Sequence, residues 1–225
     1  MFDVELISIL TLGLILGIKH ALEPDHIIGV STIAAQSKKL WRAALSGVFW
    51  GIGHTITLFI IGMMLIFLKV TIPDNWALSL EFLVGVMLVY FGLSAIYSKK
   101  RAIHSEQHND EWVNKVQGKL PYRKSLFMGF IHGLAGSAAM ILLTISTVNN
   151  AWEGALYILF FGAGTVISML FFSTIIGIPF VMSKSKMIIN KRLVQFTGVL
   201  SIAFGIYYMY NLGVTEGLFA LLLSL

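Results

Sequence analysis

Long apolar stretches alternate with short polar ones along the whole chain. Each stretch holds about twenty or more residues, and charged residues, Pro or Asn bound it. A helix needs roughly 20 apolar residues to cross a hydrocarbon core of about 30 Å. The stretches lack the two-residue alternation of barrel strands, so the predicted fold is all-α. The pattern predicts about six transmembrane helices, over residues 5–35, 43–68, 77–97, 123–148, 153–182 and 193–211.

The first predicted span is interrupted by polar residues in its middle. Residues 19–26 contain two histidines, two carboxylates, a lysine and Pro24. A continuous helix facing lipid would leave these groups without partners, and a proline removes one backbone hydrogen bond. We therefore expect the first span to break near Pro24.

Composition also indicates a membrane protein. Of the 225 residues, 57% are hydrophobic and 12% are charged, and the mean hydropathy is +0.84. A soluble domain of this size could not cover so much apolar surface. The chain contains no cysteine, which excludes disulfides, thiolate ligands and thiol redox chemistry. The first five residues include the acidic Asp3 and Glu5 where a signal peptide would be basic, so we expect the first apolar run to be retained.

The basic residues predict the orientation of the chain in the membrane. Of the 16 Lys and Arg residues, 14 lie in or beside the first, third and fifth predicted loops. Loops rich in Lys and Arg stay in the cytoplasm. Both termini are therefore predicted to be extracytoplasmic, in the plasma membrane of a bacterial or archaeal cell. The net charge of +5 then reflects orientation, and no nucleic-acid partner is expected.

The two halves of the chain contain an internal repeat at a spacing of about 112 residues. Residues 17–22 match 129–134, residues 50–57 match 161–168, and Gly85 and Gly92 match Gly198 and Gly205. Because each half has three helices, the halves would cross the membrane in opposite directions, as in many secondary transporters. The predicted organisation is a three-helix repeat with a metal motif (1–97), a cytoplasmic loop (98–122) and a second three-helix repeat (123–225). Chance similarity between glycine-rich membrane helices is the alternative.

Four of the six histidines fall inside predicted spans, together with two carboxylates. Charged residues within a membrane cost about 2.5–3.5 kcal/mol each, so a cluster of ionisable residues indicates a functional site. Imidazole and carboxylate ligands without sulfur suit nickel, cobalt or zinc. The candidate metal ligands are His20, Glu23, Asp25, His26, His54 and His132.

Plainer interpretations exist for several of these residues. A buried histidine is often only a packing residue with a hydrogen bond, and His132 is the most ambiguous because its repeat lacks the carboxylates of residues 23–26. Lys19 either neutralises a carboxylate of the empty site or extends to the membrane surface. His104 and His108 either bind a metal weakly in the cytoplasmic loop or are solvated.

Two segments resemble motifs of the nickel/cobalt permease family. Residues 19–27 resemble its His-x4-Asp-His signature, and residues 51–55 resemble its Gly-His-Ser/Thr element. The six-span layout and residues 129–137 are closer to the urease-accessory UreH-type branch. The resemblance implies that His20, Asp25, His26 and His54 bind or select the metal. The chain departs from the permeases at Glu23 and Pro24, where they usually have Asp-Ala.

These features predict a secondary transporter that takes up nickel, with cobalt next, through a site at the repeat interface. Nickel or cobalt is the substrate, and no resident cofactor is expected. The sequence has no Walker-type ATP-binding motif and neither a His-Glu-x-x-His nor a Gly-x-Ser-x-Gly element, so no enzyme is predicted. Expected partners are the metal ion, the lipid bilayer and a cytosolic metallochaperone. A nickel/cobalt exporter and a membrane assembly factor for a nickel enzyme are the alternatives.

Overall fold

The computed structural model describes residues 4–37, 39–70, 72–104, 120–148 and 150–224, and these residues form helices and short connections without a β-strand. A 3₁₀ turn, Ser183–Ser185, and a π-helical segment, Asn211–Thr215, flank the seventh helix. The prediction of an all-α fold is confirmed. The helices are α1 Val4–His20, α2 Pro24–Ala34, α3 Leu40–Leu68, α4 Asp74–His104, α5 Leu120–Thr147, α6 Ala151–Met182, α7 Met187–Tyr210 and α8 Leu218–Leu223.

Several helices have the length and apolar character needed to cross a membrane. Within the described ranges these are α3, the Asp74–Tyr97 part of α4, α6 and α7. The α1–α2 pair passes the same test together and is a fifth candidate. Helix α5 has 28 residues but is not among these candidates, so the count of six spans stays a prediction. The chain is a polytopic all-α membrane protein.

The predicted break in the first span lies between α1 and α2. Helix α1 ends at His20, α2 begins at Pro24, and the two axes differ by 59°. The backbone N–H groups of Leu22 and Glu23 donate to the carbonyls of Lys19 and His20, which closes the last turn of α1. Pro24 starts α2 at a position where its missing N–H costs nothing. The short α2 then packs among α3, α4, α6 and α7, so the break is placed in the interior of the bundle.

The third candidate span ends at Tyr97, as predicted, but the helix that contains it continues further. Helix α4 continues to His104, beyond the predicted end at residue 97, and α5 begins at Leu120 instead of residue 123. Apolar character marks the part of a helix inside the bilayer, whereas its polar continuation in water keeps the same backbone hydrogen bonds. The remainder of the predicted loop, with His108, lies outside the described residues.

Glycines allow α1 and α5 to approach helices of the opposite half closely. Gly17 on α1 contacts the backbone of Phe161 on α6, and Gly129 on α5 contacts the backbone of Trp50 on α3. A Cβ atom at either glycine would overlap those backbone atoms. Gly17 and Gly129 are matched positions of the predicted repeat, and so are Trp50 and Phe161.

Helices α3 and α6 run antiparallel through the centre of the bundle. Near the start of α3, the carbonyl of Ala44 accepts a hydrogen bond from Ser173 Oγ at 3.3 Å. Near the end of α3, Gly62 faces Ile158 close to the start of α6. Other hydroxyls also join helices, since Ser201 Oγ on α7 donates to the carbonyl of Leu88 on α4 at 2.8 Å. Such internal bonds satisfy polar groups that lipid cannot.

Candidate metal centre

The four intramembrane histidines meet in the interior of the bundle. His20 ends α1, His26 lies in the first turn of α2, His54 lies in the middle of α3, and His132 lies on α5. Ring centroids are 4.5 Å apart for His20 and His26, 5.0 Å for His20 and His54, and 4.2 Å for His26 and His132. The side chains of His26, His54 and His132 are buried, so four separate helices bring imidazoles into one water-poor region.

Asp25 connects two of these histidines. Its Oδ1 accepts a hydrogen bond from the backbone N–H of His26 at 2.9 Å and lies 3.3 Å from His26 Nδ1. Its Oδ2 lies 2.7 Å from His132 Nε2, a partner 107 positions away in the chain. This contact joins α2 to α5 and therefore links the two halves of the molecule.

Glu23 lies at the edge of the cluster, in the break between α1 and α2. Its Oε2 is 2.9 Å from His20 Nδ1. The Glu23 side chain is 51% exposed, whereas that of His20 is 18% exposed. Glu23 therefore fixes the orientation of the His20 ring from the open side of the cluster. Lys19 is exposed.

Several ring nitrogens in the cluster are buried without a hydrogen-bond partner in the part of the chain that the structure describes. They are His20 Nε2, His26 Nε2, His132 Nδ1 and both nitrogens of His54. A buried polar atom without a partner costs about 1–3 kcal/mol, and proteins normally satisfy it with a protein group, water or a ligand. So many unpaired imidazole nitrogens beside a carboxylate fit a divalent transition-metal ion.

Two overlapping groups of side chains have the geometry to hold such an ion. One consists of His20, His26 and His54, and the other of Asp25, His26 and His132. In each group the ligand atoms lie within 4.8 Å of one another. The structure thus places five of the six predicted ligands in these groups and Glu23 beside them. Their role as metal ligands stays a prediction, and so does any role of His104 and His108.

Two aromatic residues line the cluster although the sequence analysis did not single them out. The Trp50 ring lies 5.5 Å from that of His132, and the Phe161 ring lies 5.4 Å from that of His20. Both side chains are buried. Trp50 precedes His54 by one helical turn, so it shares a helix face with it, and this spacing could have identified it.

Gly136 on α5 also lies beside the cluster. A Cβ atom built there would lie 3.8 Å from atoms of both the His20 and His54 rings. The missing side chain therefore leaves space directly beside these two imidazoles.

Comparison with known families supports the membrane assignment. The family described as "Cytochrome C biogenesis protein transmembrane region" matches residues 75–207. No solved structure gives a significant match. Because this chain has no cysteine, it cannot carry out thiol redox chemistry of its own.

Two of the relatives match almost the whole chain, and a third matches about three quarters of it. The urease accessory protein UreH of Bacillus sp. (strain TB-90) is 63% identical, over 98% of this chain and 99% of the relative. The "Putative nickel/cobalt efflux system MJ1092" of Methanocaldococcus jannaschii is 30% identical, over 90% of this chain and 92% of the relative. "Chloroplast protein FOR GROWTH AND FERTILITY 1" of Arabidopsis thaliana is 25% identical, over 73% of this chain and 48% of the relative. The chain therefore belongs to the family of membrane proteins that contains the urease accessory protein UreH, as its six-span layout and residues 129–137 had indicated, and to the transmembrane family matched above.

Proposed function

We propose that this protein is a secondary transporter for the uptake of divalent transition-metal ions, with nickel preferred and cobalt next. The observation that carries the proposal is the set of buried imidazole nitrogens without partners, next to Asp25, in the interior of a membrane protein. The name of the M. jannaschii relative refers to nickel and cobalt. This agrees with the ligand chemistry, because imidazole and carboxylate ligands suit both metals.

The charges around the cluster favour a cation. A neutral imidazole supplies a lone pair but no charge, whereas the Asp25 carboxylate offsets part of the charge of a divalent ion in a low dielectric. Helix α1 ends at His20 and α2 begins at Pro24, so the negative end of one helix dipole and the positive end of the other both lie at the cluster, and the carboxylates supply the net negative charge. Glu23 adds a second carboxylate at the exposed edge. The break between α1 and α2 therefore creates an environment for a cation that a continuous helix would not provide.

The proposed mechanism uses the electrical potential across the membrane. An inside-negative potential favours entry by about 2.3 kcal/mol per charge per 100 mV, so a divalent ion gains roughly twice that value. In this proposal both termini are extracytoplasmic, and residues 1–97 and 123–225 form an inverted repeat around the site. Two contacts support such a repeat. Gly17 meets Phe161 and Gly129 meets Trp50, and in the repeat Gly17 corresponds to Gly129 and Trp50 to Phe161.

Uptake can be tested with purified protein in proteoliposomes under an imposed inside-negative potential. We expect wild-type vesicles to accumulate nickel and the His20→Ala variant to lose this accumulation. His104→Ala is the matched control, because it removes a histidine at the far end of α4 and should leave uptake unchanged. If folded wild-type protein accumulates neither nickel nor cobalt, the uptake proposal is wrong.

Export is the second candidate, since the M. jannaschii relative carries the word efflux in its name. An exporter could use the same ligands. The two directions predict opposite phenotypes: deletion of an exporter sensitises cells to nickel, whereas deletion of an importer protects them. An assembly factor without transport activity would tolerate the loss of His20.

A further inference from the structure

We infer that the cluster holds one metal ion at two successive positions that share His26. The imidazole position consists of His20, His26 and His54, and the carboxylate position consists of Asp25, His26 and His132. The inference rests on the proposed function to the extent that the cluster binds a transition metal, but it does not depend on the direction of transport.

The spacing of the rings separates the two positions. His26 is central, with its ring centroid 4.5 Å from that of His20 and 4.2 Å from that of His132. His54 lies 5.0 Å from His20 but 6.3 Å from His132. Each three-ligand group has its ligand atoms within 4.8 Å of one another. Both groups need the His26 ring, so one ion would use the two positions in turn.

Hydrogen bonding makes the two positions different when no ion is bound. In the imidazole position, Glu23 holds His20 Nδ1, while the Nε2 atoms of His20 and His26 and both nitrogens of His54 have no partner in the described chain. In the carboxylate position, Asp25 and His132 are already joined at 2.7 Å. His132 Nδ1 also has no partner in the described chain, so an ion can reach a free nitrogen in either position, but in the carboxylate position it must share the Asp25 carboxylate with His132.

Gly136 provides a way to perturb one position alone. The three atoms nearest to a Cβ built there all belong to His20 and His54, each at 3.8 Å. At this distance an added methyl group fits without a clash, but it occupies space beside the imidazole position. Gly136→Ala should therefore weaken binding at that position and leave the carboxylate position unchanged.

The experiment measures Co²⁺ binding to full-length protein in nanodiscs, by titration and by the visible absorption of the bound ion. Three variants are compared. His54→Gln removes a ligand from the imidazole position, His132→Gln removes one from the carboxylate position, and His26→Gln removes the ligand that both positions share. We expect one ion per wild-type chain. The first two variants should each still bind one ion, about 10–100-fold more weakly and with different spectra. His26→Gln should show the largest loss of affinity.

Combining Gly136→Ala with these variants guards against a simple folding defect. In the His132→Gln background, where the ion occupies the imidazole position, Gly136→Ala should lower affinity several-fold. In the His54→Gln background it should have no effect. An equal effect in both backgrounds, or complete loss of binding in both single variants, would overturn the two-position proposal.

Transport assays separate this proposal from the proposed function. If the binding series behaves as expected but wild-type vesicles accumulate no metal, the proposal of uptake is wrong and the proposal of two positions is retained. If wild-type vesicles accumulate nickel and His132→Gln vesicles do so at the same rate with an unchanged Co²⁺ spectrum, uptake stands and the carboxylate position is wrong.

Discussion

The substitution Gly133→Ala on α5 tests the packing of α5 against α3 beside the cluster. A Cβ atom built at Gly133 would lie 2.5 Å from the carbonyl oxygen of His54 and 2.9 Å from Thr57 Cβ. Both are on α3, and the carbonyl belongs to a rigid helix backbone. Because Cβ contacts below about 3.0 Å essentially do not occur in proteins, α3 and α5 would have to separate by about 0.5 Å or more at the level of the cluster.

The expected loss of stability follows from two opposing effects. Forcing an extra methyl group into a packed interface costs about 1–3 kcal/mol. Alanine is favoured over glycine in a helix by roughly 0.5–1 kcal/mol, which offsets part of that cost. We expect a net loss of roughly 1–2 kcal/mol, which corresponds to about 2–4 °C in Tm per kcal/mol for a chain of this size.

Gly136→Ala is the matched control, because it makes the same chemical change one turn further along α5. Its added Cβ would have its nearest neighbours at 3.8 Å, an ordinary contact distance. Thermal unfolding of both variants in detergent micelles should therefore show a lower Tm for Gly133→Ala and an equal or higher Tm for Gly136→Ala. Equal Tm values for the two variants would refute this account of the α3–α5 contact.

Three further predictions concern the ligands, an interhelical hydrogen bond and a turn. Nickel uptake should fall as the solution is made more acidic, because a protonated histidine cannot bind a metal; uptake that rises with acidity would contradict histidine ligation. Ser201→Ala should lower the free energy of unfolding by about 0.5–1.5 kcal/mol through loss of the bond to Leu88, whereas Ser8→Ala, on an exposed surface, should change it little. Gly217→Ala should lower the free energy of unfolding by about 1 kcal/mol, because Gly217 has φ +82°, a left-handed conformation that is costly for a residue with a Cβ atom. An unchanged free energy of unfolding would contradict this conformation at Gly217.

The hydrophobic pattern predicted most helix positions because bilayer thickness fixes the length of an apolar span. The predicted spans 43–68 and 153–182 correspond closely to α3, Leu40–Leu68, and α6, Ala151–Met182. The break near Pro24 was predictable because proline and charged groups exclude a continuous helix in lipid. The extension of α4 to His104 was not predictable, because hydropathy indicates whether a helix lies in lipid or in water and does not indicate where its backbone hydrogen bonds end.

The candidate site was only partly predictable from the sequence. His20, Asp25 and His26 are close in the chain, so one motif brings them together. The contact between Asp25 and His132 joins residues 107 positions apart, and it depends on how α2 and α5 pack. Spacing within one helix cannot reveal which faces of two helices meet. Phe161 was missed for the same reason, because its contact with His20 arises between α1 and α6.

The bond between Asp25 and His132 also affects how this chain reaches its final place in the membrane during synthesis. Asp25 leaves the ribosome 107 residues before His132, so it has no His132 to bind when the first half is inserted. A carboxylate at the centre of a membrane helix costs about 2.5–3.5 kcal/mol on insertion scales. Helix α2 should therefore stay in contact with water or the insertion machinery until α5 arrives, and only then settle into the bundle. Biogenesis of the N-terminal half thus depends on the C-terminal half, and a ribosome stalled before α5 would leave α2 accessible to water-soluble reagents.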